Sequence, residues 1–147
     1  MVVLLLIALT TSIVAVTMRH DISTVVEGEA RRFAALVEQM CQESIIQGKA
    51  FALSEDGATG YRFDVFAVDH WQPVVNDDVF RPRDLPEGIT IELELPTSGN
   101  DNNKEYLLCG PDGVLTPFSA LFAIDDTQYR VSTNDFQDIQ IKVLNSE

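Results

Sequence analysis

The side chains in this sequence whose types could do chemistry are Cys41 and Cys109, His20 and His70, and the acidic pairs Asp77-Asp78 and Asp125-Asp126. Two cysteines are too few for a structural zinc site or a disulfide framework. Each sits among apolar neighbours, so the choice is between two small buried side chains and, in an oxidising compartment, one disulfide. General acid-base or nucleophilic work by a histidine needs a partner at a defined spacing, and the sequence has no Gly-x-Ser-x-Gly, His-x-x-x-His or Cys-x-x-Cys. Both histidines therefore read as surface or boundary residues. The acidic pairs lack the alternating oxygen ligands of a calcium loop, and aspartate is common in turns. The chain reads as a protein without catalytic residues, cofactor or metal.

Trp71, Arg81 and Arg83 remain as candidates for contact chemistry, within a proline-rich stretch read as one loop. Tryptophan and arginine are frequent interface anchors. The favoured role is local: Trp71 plugging a sheet while the arginines pair with Asp78, Asp84 or Glu87 and hold the loop in shape, as suits proline-bracketed arginines beside acids.

Charge narrows the partners. The chain has 23 acidic and 10 basic residues, a formal charge of -13, and its only close basic pairs are Arg31-Arg32 and Arg81-Pro82-Arg83. Nucleic acid binding rests on clustered cations that neutralise phosphates, so no nucleic acid is expected as a partner.

The elements that must position these residues begin with an extreme. Met1 to Met18 carries no charge; as a helix it would span roughly 27 Å, close to the ~30 Å hydrocarbon core of a bilayer. A signal peptide would need a basic stretch before this run and a small-residue cleavage site after it, and the run passes instead into Arg19-His20-Asp21. Beyond that triplet, Ile22, Val26, Ala30, Phe33, Leu36, Val37 and Met40 share one helical face, opposite Glu27, Arg31, Glu38 and Gln42. Glu27 and Arg31 have the favourable acidic-first i, i+4 spacing. No proline precedes Pro73, and the first helix stop is Gly48. One helix from Met1 to about Gln47 follows, apolar all round in residues 1–18 and amphipathic in residues 19–48. Its stripe, with Val26, Phe33, Val37 and Met40 as buried residues, requires a layer to cover it.

Residues 49–147 read as β-structure. Ala50-Phe51-Ala52-Leu53 leads into a turn at Ser54 to Gly57, and Tyr61 to Val65 alternates. Ile89, Ile91, Leu93 and Leu95 alternate with Thr90, Glu92 and Glu94 as a half-buried strand. Tyr106 to Cys109, Ala120 to Ile124, Tyr129 to Ser132 and Ile139 to Leu144 complete the set. Turn chemistry separates them at Pro86-Glu87-Gly88, Ser98 to Asn103, Gly110 to Gly113 and Asp125-Asp126. Short strands with such turns make antiparallel sheet, so the fold class is α+β, a long N-terminal helix packed on antiparallel sheet.

That architecture resembles the type IV pilins and pseudopilins. An ordered set of motifs narrows the match: Gly60-Tyr61-Arg62-Phe63, Trp71-x-Pro73, Phe80-Arg81-Pro82-Arg83-x-Leu85-Pro86-x-Gly88 and Pro111-Asp112-Gly113-x-x-Thr116-Pro117-Phe118 are similar to the signature of the minor pseudopilin H family of type II secretion. The resemblance implies a subunit of the secretion pseudopilus that assists export of folded proteins across the outer membrane. The implied location is the inner membrane, single-pass, with residues 49–147 in the periplasm. Implied partners are other minor and major pseudopilins, the inner-membrane secretion platform and exported proteins. A minor pilin of a type IV pilus shares the fold and is the alternative.

Precursors of this family carry Gly-Phe-Thr-x-x-Glu ahead of the apolar run, where a peptidase cuts and methylates. This sequence begins inside the run. The resemblance therefore implies that motif, behind a basic leader, upstream of Met1, and no residue here takes the processing role. The basic leader would also offset Arg19, Arg31 and Arg32, which otherwise oppose the positive-inside tendency.

Overall fold

The computed structural model describes residues 2–96 and 106–145, with side chains for residues 21–96 and 106–144. One helix, α1, runs from Val2 to Gln47. It stops where glycine allows it: Gly48 takes a left-handed φ of 63°, and Lys49 N–H donates to the Ser44 carbonyl at 3.2 Å, the closing bond of a Schellman cap. The expected membrane passage of Met1 to Met18 lies outside the residues whose side chains are described. Among the described residues no helix is long and apolar enough to cross a membrane.

Nine strands follow among the described residues: β1 Phe51–Glu55, β2 Gly60–Ala67, β3 His70–Pro73, β4 Arg83–Asp84, β5 Thr90–Glu94, β6 Leu107–Cys109, β7 Ser119–Ile124, β8 Thr127–Thr133 and β9 Ile139–Asn145. They form two antiparallel sheets. The first has the order β3-β2-β1-β6, with β4 also on β2; the second is β5-β7-β8-β9. Both sheets turn their inner faces to α1.

Period-two alternation sorts the strands: Phe51 and Leu53, Tyr61 and Phe63, Leu107 and Cys109, Ala120 and Phe122, and Tyr129 and Val131 all point into the core. From α1 come Val26, Ala30, Phe33, Leu36, Val37 and Met40, while Ile22 is only partly covered. Phe33 sits where the three layers meet. Its ring makes edge contacts with Tyr61 of the first sheet at 5.2 Å and with Phe122 of the second at 5.3 Å, and with Phe118 at 6.0 Å.

Three details differ from the pattern read in the sequence. The turn expected at Ser54 begins later, because Ser54 and Glu55 stay in register with Arg62 and Tyr61. The stretch around Trp71 and Arg83 is not a single loop: His70–Pro73 folds back on β2, and Arg83-Asp84 pairs with Gly60-Tyr61. The β2-β3 hairpin turns through Val68 and Asp69, with Val68 at φ 60°. A β-branched residue is disfavoured there, so the usual Asn-Gly or Asp-Gly signal is missing. The expected turn at Ser98 to Asn103 lies outside the described residues.

Gly60 is demanded by packing rather than by φ. A Cβ there would stand 2.7 Å from the Arg83 carbonyl oxygen, so the β2-β4 approach needs a residue without one.

Candidate functional site

Covering α1 is the first task of the sheet domain, and the side chains that do it are fixed at both ends. Val26, Phe33, Val37 and Met40 have no solvent exposure. Near the start of the covered stretch, Ser23 and the Tyr129 hydroxyl share a hydrogen bond of 3.1 Å. Near its end, Cys41 and Cys109 form a disulfide between α1 and β6, with Cα atoms 5.3 Å apart. One turn on, buried Ser44 donates to the Cys109 carbonyl at 3.1 Å. The sequence left the cysteine pairing open; the structure closes it. Ser44 was not foreseen, since a serine next to Ile45 in a helix carries no sign of which carbonyl it meets.

A polar cluster lies beside Phe33. Glu29 is 7% exposed and pairs with Arg32 at 3.2 Å. Tyr61, fully buried, has a hydroxyl without a hydrogen-bond partner among the described residues. Burial pushes its pKa up to about 12 from 10.0; the Glu29 carboxylate adds to the rise, while Arg83 and Arg32 oppose it. The sequence pointed to Glu27 and Arg31, which pair at 2.7 Å, and not to Glu29 and Arg32 at the edge of the core.

Of the three contact candidates, Trp71 is half-buried on the outer face of the first sheet. It meets its cross-strand partner Phe66 edge-on at 5.3 Å and stacks on Tyr106 at 5.9 Å. Tyr106 directly precedes β6, three strands from β3 in the sheet order, a distance of roughly 14 Å at strand spacing. The two rings must therefore lie across the outer face. Beneath that span sit Ala52 and Asp64, cross-strand partners at 0% and 6% exposure. Arg81 is exposed. Arg83 donates to the Val79 carbonyl at 2.9 Å. Among the described residues neither arginine lies within ion-pair distance of Asp78, Asp84 or Glu87, so Arg83 holds the loop through a carbonyl instead of a carboxylate.

The remaining candidates fall apart as a site. His70 is exposed and bonded to Asp69 at 2.7 Å and Gln72 at 3.0 Å, while the His20 side chain lies outside the described ones. Asp77 caps the backbone N–H groups of Val79 and Phe80 at 2.7 and 2.9 Å. Asp125 and Asp126 make the β7-β8 turn. Among the described residues no three His, Cys, Asp or Glu side chains come together to hold a metal ion.

What the molecule presents is thus a helix clamped by two sheets, with contact surfaces around it. This is the pilin-like fold. The minor pseudopilin EpsH from the type 2 secretion system of Vibrio cholerae matches it with a TM-score of 0.66 at 21% identity, over 80% of this chain and 96% of that one. A second EpsH structure gives 0.65 at 18% identity, over 86% and 97%. The type IV minor pilin FimU of Pseudomonas aeruginosa matches at 0.55 and 16% identity, over 82% and 98%. No family model and no curated protein matches the chain.

Proposed function

We propose that this protein is a minor pseudopilin of type II secretion, anchored in the inner membrane by the apolar start of α1, with its sheet domain in the periplasm. The observation that carries the reading is the likeness to EpsH, higher in TM-score than that to FimU and spanning 96% of the EpsH chain. Two further features support the placement. Met1 to Met18 carries no charge and as a helix would span roughly 27 Å, and the Cys41–Cys109 disulfide suits an oxidising compartment.

In this role the protein acts by assembly. The apolar stretch packs among the helices of other minor and major pseudopilins, the secretion platform of the inner membrane receives the base, and the acidic domain faces outward toward exported proteins. Trp71 and Arg81 are the contact residues proposed on that outward surface, and Arg83 is the loop anchor beside them.

Deleting the gene in its host tests this. Exported enzymes retained in the periplasm, with surface motility and pilus assembly intact, support the pseudopilin reading. Normal secretion with loss of pili assigns the chain to the type IV minor pilins instead.

A further inference from the structure

We propose that β9 is a strand-addition edge, which takes up an extended segment of a partner protein in which apolar and acidic residues alternate. β9 ends the order β5-β7-β8-β9 and, among the described residues, pairs with β8 alone. An antiparallel edge of this kind turns the N–H and C=O of every second residue outward. The other edge of the sheet is occupied: β5 runs beside β1, and Leu93 N–H donates to the Glu55 carboxylate.

The two faces of β9 specify the side chains of the added strand. Ile139, Ile141 and Val143 stand opposite Thr133, Val131 and Tyr129, on the face turned to α1. With Tyr129, Glu27 and Arg31 they line an open groove of about 480 Å³. Val143 is 52% exposed. Apolar side chains on a strand beyond β9 would continue this layer over the groove.

On the outer face Arg130 stands directly opposite Lys142. Like charges in cross-strand register are unfavourable by themselves. Among the described residues neither has a carboxylate within ion-pair distance, and Arg130 Nε is buried without a hydrogen-bond partner. Carboxylates on an added strand would lie next to Lys142 and within a side chain's length of Arg130. Pairing β9 with the β9 of a second copy fits worse, because it brings cation toward cation and joins two chains of charge -13, and the chain's own acidic-apolar segment, Thr90–Glu94, is already held against β7.

The probe is the peptide Thr-Ile-Glu-Leu-Glu-Leu, compared with Thr-Ile-Lys-Leu-Lys-Leu, each titrated into the full chain in detergent micelles while backbone amide shifts are followed. The acidic peptide should move the amides of β8 and β9 and bind about fivefold more tightly than the basic one at low salt, an advantage that salt reduces. N-methylation at alternate residues of the acidic peptide should abolish binding, and Lys142→Glu should reverse the preference. Equal affinities, shifts away from β8 and β9, or no binding overturn the proposal. Concentration-dependent shifts of β9 without peptide assign the edge to a second copy and overturn it too. Should Lys142→Glu fail to fold, the two peptides on the unaltered chain still decide.

Discussion

Replacing Phe33 by alanine tests whether the three-layer junction is the main source of stability. Phe33 is fully buried and its ring touches Tyr61, Phe118 and Phe122. Phenylalanine-to-alanine changes in cores cost about 3–5 kcal/mol through lost transfer energy and the cavity left behind. Three aromatic neighbours from both sheets place this one toward the upper end, since each edge contact adds roughly 0.5–1.5 kcal/mol and the sheets cannot both close on the gap. We expect about 4 kcal/mol, a fall in urea midpoint of roughly 2–3 M at the denaturant sensitivity of a domain this size. The control is Glu38→Ala on the exposed side of the same helix, with an expected change within about 0.5 kcal/mol. The core begins at Val26, so a fragment starting at Asp21 retains it and permits urea denaturation followed by circular dichroism and tryptophan fluorescence. Equal midpoints for the two variants would refute the proposed burial of this face.

Three other outcomes are expected. Joint replacement of Cys41 and Cys109 by alanine opens a link spanning 68 positions; the loop-entropy relation sets the loss at about 4 kcal/mol, to be read by urea denaturation, and an unchanged midpoint would deny the clamp a stabilising role. The Tyr61 pKa, raised to about 12 in the folded chain against 10.0 unfolded, contributes stability that is complete below pH 10 and lost as pH rises toward 12, by at most about 3 kcal/mol. Tyr61→Phe should remove that part of the alkaline loss and cost little at neutral pH, where the hydroxyl has no partner to give up; identical alkaline denaturation profiles would contradict it. Val68→Gly relieves a left-handed β-branched residue in the β2-β3 turn and should stabilise by about 1 kcal/mol in thermal denaturation; a lower melting temperature would count against the turn geometry.

The fold was legible where periodicity was strong. The stripe on α1, the alternation of Ile91 and Leu93 with Glu92 and Glu94, and the Gly48 stop each follow from a local rule with one dominant solution. β3 and β4 were not legible, for two distinct reasons. In the β2-β3 hairpin, tertiary pairing holds Val68 where glycine or asparagine would be the local choice, so the turn leaves no compositional trace. β4 is two residues long, too short to show a period, and exists because Gly60 lets its backbone approach. Likewise the Phe66, Trp71 and Tyr106 cluster joins residues whose proximity depends on that unseen hairpin.

Contact surfaces are harder to read than catalytic ones, because register rather than spacing assembles them. Arg130 and Lys142 are twelve positions apart and look unrelated until the β8-β9 turn is fixed. That turn is built by Asn134, whose side-chain oxygen accepts from the N–H groups of Phe136 and Asp138 at 2.9 Å each, while its carbonyl accepts from Gln137 at 3.0 Å. Gln137 takes the left-handed position at φ 65°, where glycine is the usual signal. With the tip set, Thr133 must face Ile139, and each step back along β8 matches a step forward along β9 until Arg130 meets Lys142. A shift of one residue would carry Ile141 and Val143 to the outer face and Lys142 into the core side. The burial of Tyr129 and Val131 therefore enforces the same register that leaves two cations facing each other at the sheet edge.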